Sequence, residues 1–513
     1  MSKLPKQKAP KGRKTIAQGK ERSAAALGSN APQNPSPEGA GELPLGWEIT
    51  TIENLISPDG IFVDGDWVES KDQDPNGEVR LIQLADIGDG VFQNKSSRFL
   101  TKQKAKQLRC TYLNKGDVLV ARMPDPLGRS CIFPLEGSEM FVTVVDVCII
   151  RTSENISSPE FLRSAINYLG TRKQIEELQT GTTRKRISRK NLATVQIPLP
   201  PLNEQKRIVA KIEELFSELD AGEESLRRAR HQLGIYRQSL LKQAFEGKLT
   251  AHWRTQNPGQ LESPPSLTEL IDSNSERAKF RSERKHKING WSYRCLDELT
   301  EFVTSGSRGW ADYYSDSGSL FIRAQNLNRD FLNLDDIAFV KPPASAEGRR
   351  TMVKFGDLLI TITGANTTKS GWVNTPLEDA YVSQHVALCR PVSEELSPFL
   401  YRYIVSEAGG RKQLTKDAYG AGKPGLNLDN VRSLEVPLCS LPEQQEIVRL
   451  LDEQFEAIAQ NEREIDAALK RSEALRQSIL KRAFTGHLVP QDPADEPAPT
   501  LLARIQAERS AAK

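Results

Sequence analysis

From Ile208 onward the apolar positions alternate in steps of four and three: Ile208, Ile212, Leu215, Leu219, Gly222, Leu226, Ala229, Leu233, Tyr236 and Leu240. This is the heptad seam of a left-handed coiled coil. The same spacing returns through Ile447, Leu451, Gln454, Ile458, Asn461, Ile465, Ala468, Ser472, Leu475 and Ile479. Pro201 and Pro442 stand at the starts of the two stretches and Gly247 and Gly486 near their ends, as helix punctuation requires. Two seams of equal length in one chain predict a helix pair, running antiparallel if the halves are related by a two-fold axis. Both seams are interrupted at the same place, by Gly222 and Asn461. An Asn in a seam can set register at a cost in stability, and a tolerated surface defect explains it equally well.

Elsewhere the apolar runs are short. Val142 to Ile150, Asp117 to Val120 and Leu358 to Ile362 have strand length and β-branched content. Helical stretches, Pro159 to Leu178 and Pro398 to Leu414, lie among them. The fold class predicted is α/β: two mixed α/β domains, 43–203 and 288–441, joined by a pair of long antiparallel coiled-coil helices, 204–250 and 442–488. Residues 1–42, rich in Lys, Ala, Gly, Ser and Pro, read as a disordered basic extension. Residues 251–287 read as a linker with a charged helix from about Leu267, and 489–513 as a C-terminal tail. Leu501 and Ile505 in that tail echo Leu267 and Ile271.

The chain is written twice. Residues 204–249 and 443–488 align without a gap at an offset of 239, matching Glu204-Gln205 with Glu443-Gln444, Phe216 with Phe455, and Arg237-Gln238-Ser239 with Arg476-Gln477-Ser478. The match runs backwards through Arg172-Lys173-Gln174 with Arg411-Lys412-Gln413, Gly116-Asp117 with Gly356-Asp357, and Gly46-Trp47 with Gly290-Trp291. An ordered series of this kind is a tandem duplication with an internal pseudo-two-fold.

Composition narrows the function. The 513 residues are 38% hydrophobic and 27% charged, with a formal charge of only +3, so any nucleic-acid surface must come from local clustering. Six scattered cysteines without a C-x-x-C pair read as reduced thiols in a cytoplasmic protein. The five histidines show no metal-ligand spacing. No apolar run approaches the length of a membrane span, and the basic N-terminus has no apolar stretch behind it to make a secretory signal.

Two variable α/β domains alternating with two near-identical long helices resemble the specificity subunit of type I restriction-modification enzymes, from about 43 to 488. The residues that carry the resemblance are Leu-Pro-Leu-Gly-Trp at 43–47 and Asn-Gly-Trp at 289–291. Ile-Pro-Leu-Pro-Pro-Leu-Asn-Glu-Gln-Lys-Arg-Ile-Val at 197–209 is repeated as Val-Pro-Leu-Cys-Ser-Leu-Pro-Glu-Gln-Gln-Glu-Ile-Val at 436–448. The helix end at 237–249 is repeated at 476–488. The extension 1–42 is not part of that pattern.

The resemblance implies that each α/β domain is a target recognition domain reading one half of a split, asymmetric double-stranded DNA sequence. It implies that the helices set the spacer and dock two modification subunits, with restriction subunits joining the complex. S-adenosylmethionine and ATP are then expected in those partners and no cofactor in this chain. Forty residues of helix span about 60 Å, against roughly 34 Å per turn of DNA.

Candidate DNA contacts follow from residue chemistry. The densest basic cluster is Arg184, Lys185, Arg186, Arg189 and Lys190, after Thr182 and Thr183. Such cations neutralise phosphates, and Arg can also read guanine; a charge run is otherwise a solvated face. The counterpart at 420–427 formally fits G-x-G-x-x-G but lacks the strand-to-helix setting of a phosphate loop. It reads as an equivalent DNA loop, with Lys423 and Asn427 as candidates. Thr363, Asn366, Thr368 and Lys369 follow a predicted strand and match the stretch from Arg122 to Arg129; an ordinary polar turn is the plain alternative. Gln83 and Arg323 occupy equivalent strand ends.

Nothing in the chain supplies a reaction. There is no Asn-Pro-Pro-aromatic motif of adenine methylation, no P-loop, no G-x-S-x-G and no H-E-x-x-H. The expectation is a non-catalytic recognition subunit. The alternatives are a coiled-coil scaffold that binds only proteins, and recognition within a restriction system whose methylation and cleavage are fused in one partner.

Overall fold

The computed structural model describes residues 43–511 except 57–58, 125, 138, 153–154, 182–183, 307, 329, 343–349 and 421–423. The chain divides into two compact units, Met1–Ile212 with Ile479–Lys513, and Glu213–Ser478.

In the first unit nine strands follow in order: β1 (Glu48–Thr51), β2 (Ile61–Asp64), β3 (Val79–Ile82), β4 (Arg98–Leu100), β5 (Val118–Ala121), β6 (Ser130–Ile132), β7 (Met140–Thr143), β8 (Val147–Arg151) and β9 (Gln196–Leu199). β2, β8, β5 and β6 form an antiparallel sheet, and β4, β3 and β7 a second sheet in which β3 and β7 are parallel. β1 and β9 close the domain as a two-stranded ribbon. β5 is apolar at every position because it is central and covered on both faces.

The apolar run from Val142 to Ile150, expected as one strand, is two. A turn at Val145 and Asp146, closed by Val147 N–H to Val144 O (2.9 Å), sends β7 and β8 to different sheets. Periodicity cannot detect that break, since both halves are buried.

The second unit repeats the plan with β10 (Ser292–Cys295), β11 (Thr300–Ser305), β12 (Tyr314–Ser315), β13 (Ser319–Ile322), β14 (Ala338–Val340), β15 (Leu358–Thr361), β16 (Ser370–Trp372), β17 (Ala380–Val382), β18 (Val386–Pro391) and β19 (Glu435–Leu438). Its sheets run β11-β18-β15-β16 and β12-β14-β13-β17, and β10 pairs with β19. Among the described residues only the two-residue β12 is added. Each predicted helical stretch is also broken into two, Pro159–Asn167 with Leu169–Glu177 and Ser397–Ile404 with Gly410–Asp417. In the first, Tyr168 adopts an extended conformation; the second break falls before Gly409 and Gly410.

The two long helices are Leu202–Phe245 and Leu441–Phe484, 44 residues each. Within the second unit they run antiparallel. Asp220 and Glu223 of the first meet Arg476, Arg230 meets Asp466 at 2.8 Å, and Tyr236 Oη donates to Gln454 at 3.2 Å. The pairing is reciprocal: Arg476 lies over the ring of Phe216 and Arg237 over the ring of Phe455. Phe216 and Phe455 are repeat equivalents, as are Arg237 and Arg476, so over this stretch the pairing carries its own approximate two-fold.

Of the expected seam, Ile208, Ile212, Ile447, Leu451, Ile458 and Ile465 are buried, while Leu215, Leu219, Leu226, Leu233 and Ile479 are half-buried. Leu475 is corrected: it is 51% exposed. At that level the contact is polar, with Ser472 and Arg476 held by Glu223. Gly222 and Asn461 are exposed, so neither interrupts a buried seam. The expected tail contains the helix Ala498–Ala511, which buries Leu501 and Ile505, as Pro265–Arg277 buries Leu267 and Ile271.

A tryptophan joins each domain to its helix. Trp47 Nε1–H donates to Glu204 Oε2 at 3.0 Å, and Trp291 Nε1–H to Glu443 Oε2 at 3.0 Å. The second oxygens differ. Glu443 Oε1 accepts from Thr250 (2.7 Å) and Arg254 (2.5 Å), whereas Glu204 Oε1 has no hydrogen-bond partner among the described residues. Burial accordingly holds the Glu204 carboxyl above the usual range. A raised folded-state pKa contributes stability that is complete below the unfolded pKa and lost as pH rises through the folded value. Glu204→Gln should therefore raise the thermal midpoint near neutral pH, with the gain shrinking as pH falls toward about 4. Glu443→Gln should lower the midpoint, at a cost on the order of 2 kcal/mol in stability, because Arg254 loses its charged acceptor. Calorimetry of the two variants across pH checks both signs.

The buried carboxylates of Asp117 and Asp357 are each gripped by two nitrogens of one arginine, Arg151 at 2.7 and 2.8 Å and Arg390 at 2.9 and 2.7 Å. Asp357→Ala would strand the more buried guanidinium and should cost about 3–5 kcal/mol. Asp117→Ala should cost less, since the Arg151 side chain is twice as exposed, 31% against 15%. Urea unfolding should return that order.

Candidate nucleic-acid interface

In the first domain, Thr180 and Arg186 exchange both backbone hydrogen bonds (2.8 and 3.0 Å), closing a hairpin loop over 181–185. Its far side is tied to the end of β5: Ile187 N–H donates to Arg122 O at 3.1 Å, and Arg122 Nη1 donates to Ile187 O at 3.3 Å. Gly181 takes φ +94°, which a side chain would strain. Ser188 then caps the helix Arg189–Ala193 by accepting the Asn191 N–H at 3.0 Å.

The second domain repeats the bonds that bracket this segment. Tyr419 and Gly425 exchange both backbone bonds at 2.9 Å, Leu426 N–H donates to Ile362 O at 2.8 Å, and Gly420 takes φ +96°. Asn427 caps Leu428–Arg432, accepting the Asn430 N–H at 2.8 Å. The described ends of the G-x-G-x-x-G stretch are thus joined by a backbone pair next to a strand end. Gly364 N–H and the Thr367 hydroxyl both donate to Pro424 O (3.0 and 2.9 Å), so the loop after β15 and the hairpin loop are brought together.

The candidates sort by what holds them. Arg184, Lys185, Arg186 and Lys190 are exposed and have no side-chain partner among the described residues. Arg122 and Arg189 converge on Asp64 (3.3 and 3.7 Å), with Arg122 also donating to Val145 O and Arg189 to Phe62 O at 2.6 Å. Arg129 is half-buried and donates to Ile87 O at 3.0 Å. Gln83 and Arg323 do follow the ends of β3 and β13. Each closes a tight turn through its own backbone N–H, to Asp86 (2.8 Å) and Asn326 (2.9 Å), and Arg323 is further held by Asp336 O at 3.0 Å.

Lys369 pairs with Asp330 at 3.1 Å, which also takes Arg411. Asn366 donates to Ala324 O at 3.3 Å, Thr363 bridges Gly425, and Thr368 is buried at φ +76°. Thr182, Thr183 and Lys423 lie outside the described residues.

Sequence reasoning missed two features. Asp64, which collects Arg122 and Arg189, is an acid at a strand end with no recognisable motif around it. Lys102, Lys106 and Arg109 line an open groove of about 430 Å³ with Tyr112 and Met140; lysines on a seven-residue helix look like any solvated face.

Other chemistry is sparse among the described residues. All six cysteines are buried and unpaired, and burial pushes the Cys131 thiol up to about 12. No group of three His, Cys, Asp or Glu side chains could hold a metal, and no helix is long and apolar enough to cross a membrane.

The profile of the type I restriction modification DNA specificity domain matches residues 44–226 and again 289–471, more than half of the chain. The chain belongs to that family. Among relatives, the type I restriction enzyme EcoBI specificity subunit of Escherichia coli is 27% identical over 378 residues, 71% of this chain and 75% of that one. The StySPI specificity subunit of Salmonella potsdam is 24% identical over 497 residues, 92% of this chain and 97% of that one. A solved structure from work on complex assembly and conformational transition of the type I R-M system aligns with a TM-score of 0.61 at 19% identity. It covers 88% of this chain and 100% of the other, and so shows the shared fold. The family match covers both copies of the hairpin loop.

The caps give a test of structural against recognition roles. Ser188→Ala and Asn427→Ala should each cost about 1 kcal/mol in urea unfolding, and Asn427→Ser only a few tenths. A cost near zero for both alanine variants would mean that the caps do not hold these loops.

Proposed function

We propose that this chain is the DNA-reading subunit of a type I restriction-modification complex, and that each mixed α/β domain reads one half of a bipartite, asymmetric double-stranded target. The observation that carries this reading is the hairpin loop built twice on one backbone plan, Thr180 to Arg186 and Tyr419 to Gly425, with different side chains in the two copies. Equal frames with unequal side chains suit two readers of unlike sequences, because backbone geometry positions while side chains specify.

The paired helices set the number of base pairs between the halves. A helix of 44 residues spans about 66 Å, close to two turns of DNA. They also dock two modification subunits, which bring S-adenosylmethionine and methylate adenine N6. Restriction subunits that use ATP join this core. The chain itself holds no cofactor and performs no bond-making step.

Genome-wide mapping of N6-methyladenine tests the reading in a host carrying this chain with its modification subunit, beside one lacking only this chain. The expected result is a two-part motif with a fixed gap, methylated only when the chain is present. Unchanged methylation, or a continuous motif, would overturn it and favour a protein-only scaffold.

A further inference from the structure

The two hairpin loops share a frame but not a charge. Residues 181–190 of the first domain carry five cations and no acid: Arg184, Lys185, Arg186, Arg189 and Lys190. At the constant offset of 239, the second domain places Lys423, Pro424, Gly425, Leu428 and Asp429 at those positions. Asp429 is part-exposed and paired to its own neighbours, Lys279 at 2.6 Å and Arg432 at 3.0 Å. The backbone pair that closes each loop and the bond to the strand end recur in both domains, while the side chains at the matched positions differ. Four of the five first-domain cations are exposed and unpaired among the described residues, which leaves their charge available to an anionic partner.

We infer that the two domains hold DNA unequally. The first grips the phosphate backbone through Arg184, Lys185, Arg186 and Lys190, and supplies most of the salt-dependent affinity. The second reads its half through neutral contacts from the Pro424–Leu426 and Thr363–Thr367 loops, with little ionic contribution. This rests on the proposed reading of one half-site per domain. Its consequence is an ordered engagement: rising salt loosens the first half before the second, because each phosphate neutralised by a cation contributes about 0.9 to the slope of log K against log salt.

The test uses the full chain assembled with its modification subunits and a duplex of about 40 base pairs carrying the mapped motif. Methylphosphonates neutralise the phosphates under one half-site at a time, the halves being assigned by exchange of residues 43–203. Neutral phosphates under the first domain's half should weaken binding about tenfold or more, and those under the other half by no more than about threefold. The triple variant Lys185→Ala, Arg186→Ala and Lys190→Ala should lower the salt slope by roughly 2–3 and erase the difference between the two duplexes. Equal losses from both halves, or an unchanged slope in the triple variant, would overturn the unequal grip while leaving one reader per half intact. A native complex that prefers the motif duplex no more than an unrelated one would instead remove the proposed function beneath it.

Discussion

Everything in this molecule depends on a helix that pairs with its own copy. When a duplicated helix lies antiparallel against its duplicate, a contact between repeat-equivalent residues can be made twice. The price of that economy is that every seam residue must suit a partner drawn from the same sequence pattern. Phe216 under Arg476 and Phe455 under Arg237 are one interaction repeated. Apolar burial is weighted toward Ile447, Leu451, Ile458 and Ile465, while the first helix is half-buried through Leu219, Leu226 and Leu233. Two helices alone leave flanks open, so the mid-section also uses ion pairs such as Arg230 with Asp466.

Each domain is locked to the start of its own helix by a second repeated device. A tryptophan donates to a buried glutamate at the third helical residue, and the next residue, Gln205 or Gln444, donates back to Pro200 O (3.0 Å) or Cys439 O (2.8 Å). The ribbons β1-β9 and β10-β19 lead straight into these joints, so the last strand of each domain fixes where its helix begins. On this frame each hairpin loop is closed by a backbone pair and tied to a strand end by a backbone bond, with side-chain bonds from Arg122 in the first domain and Thr367 in the second added to them.

The duplication and the coiled coil were legible because they are periodic, and the glycine and proline punctuation placed the helix ends within a few residues. The split of Val142 to Ile150 into two strands was not legible, since a turn between buried residues leaves the apolar run unbroken. Leu475 read as a seam residue because heptad spacing counts positions and does not see that Glu223 makes that level polar. For the candidate site, charge density picked out Arg184, Lys185, Arg186 and Lys190, which are exposed and have no side-chain partner among the described residues. Repeat position and strand ends picked out Arg122, Arg129 and Arg323, which the fold uses to tie down carbonyl groups, a role set by neighbours far apart in the chain. Asn427 carried the chemistry of an adenine contact and the geometry of a helix cap.

The most direct test of one reader per half is exchange of residues 43–203 for the matching domain of another family member, followed by mapping of methylated adenines. The account predicts that one half of the motif changes while the other half and the length of the gap are kept. A change in both halves, or in neither, would contradict it.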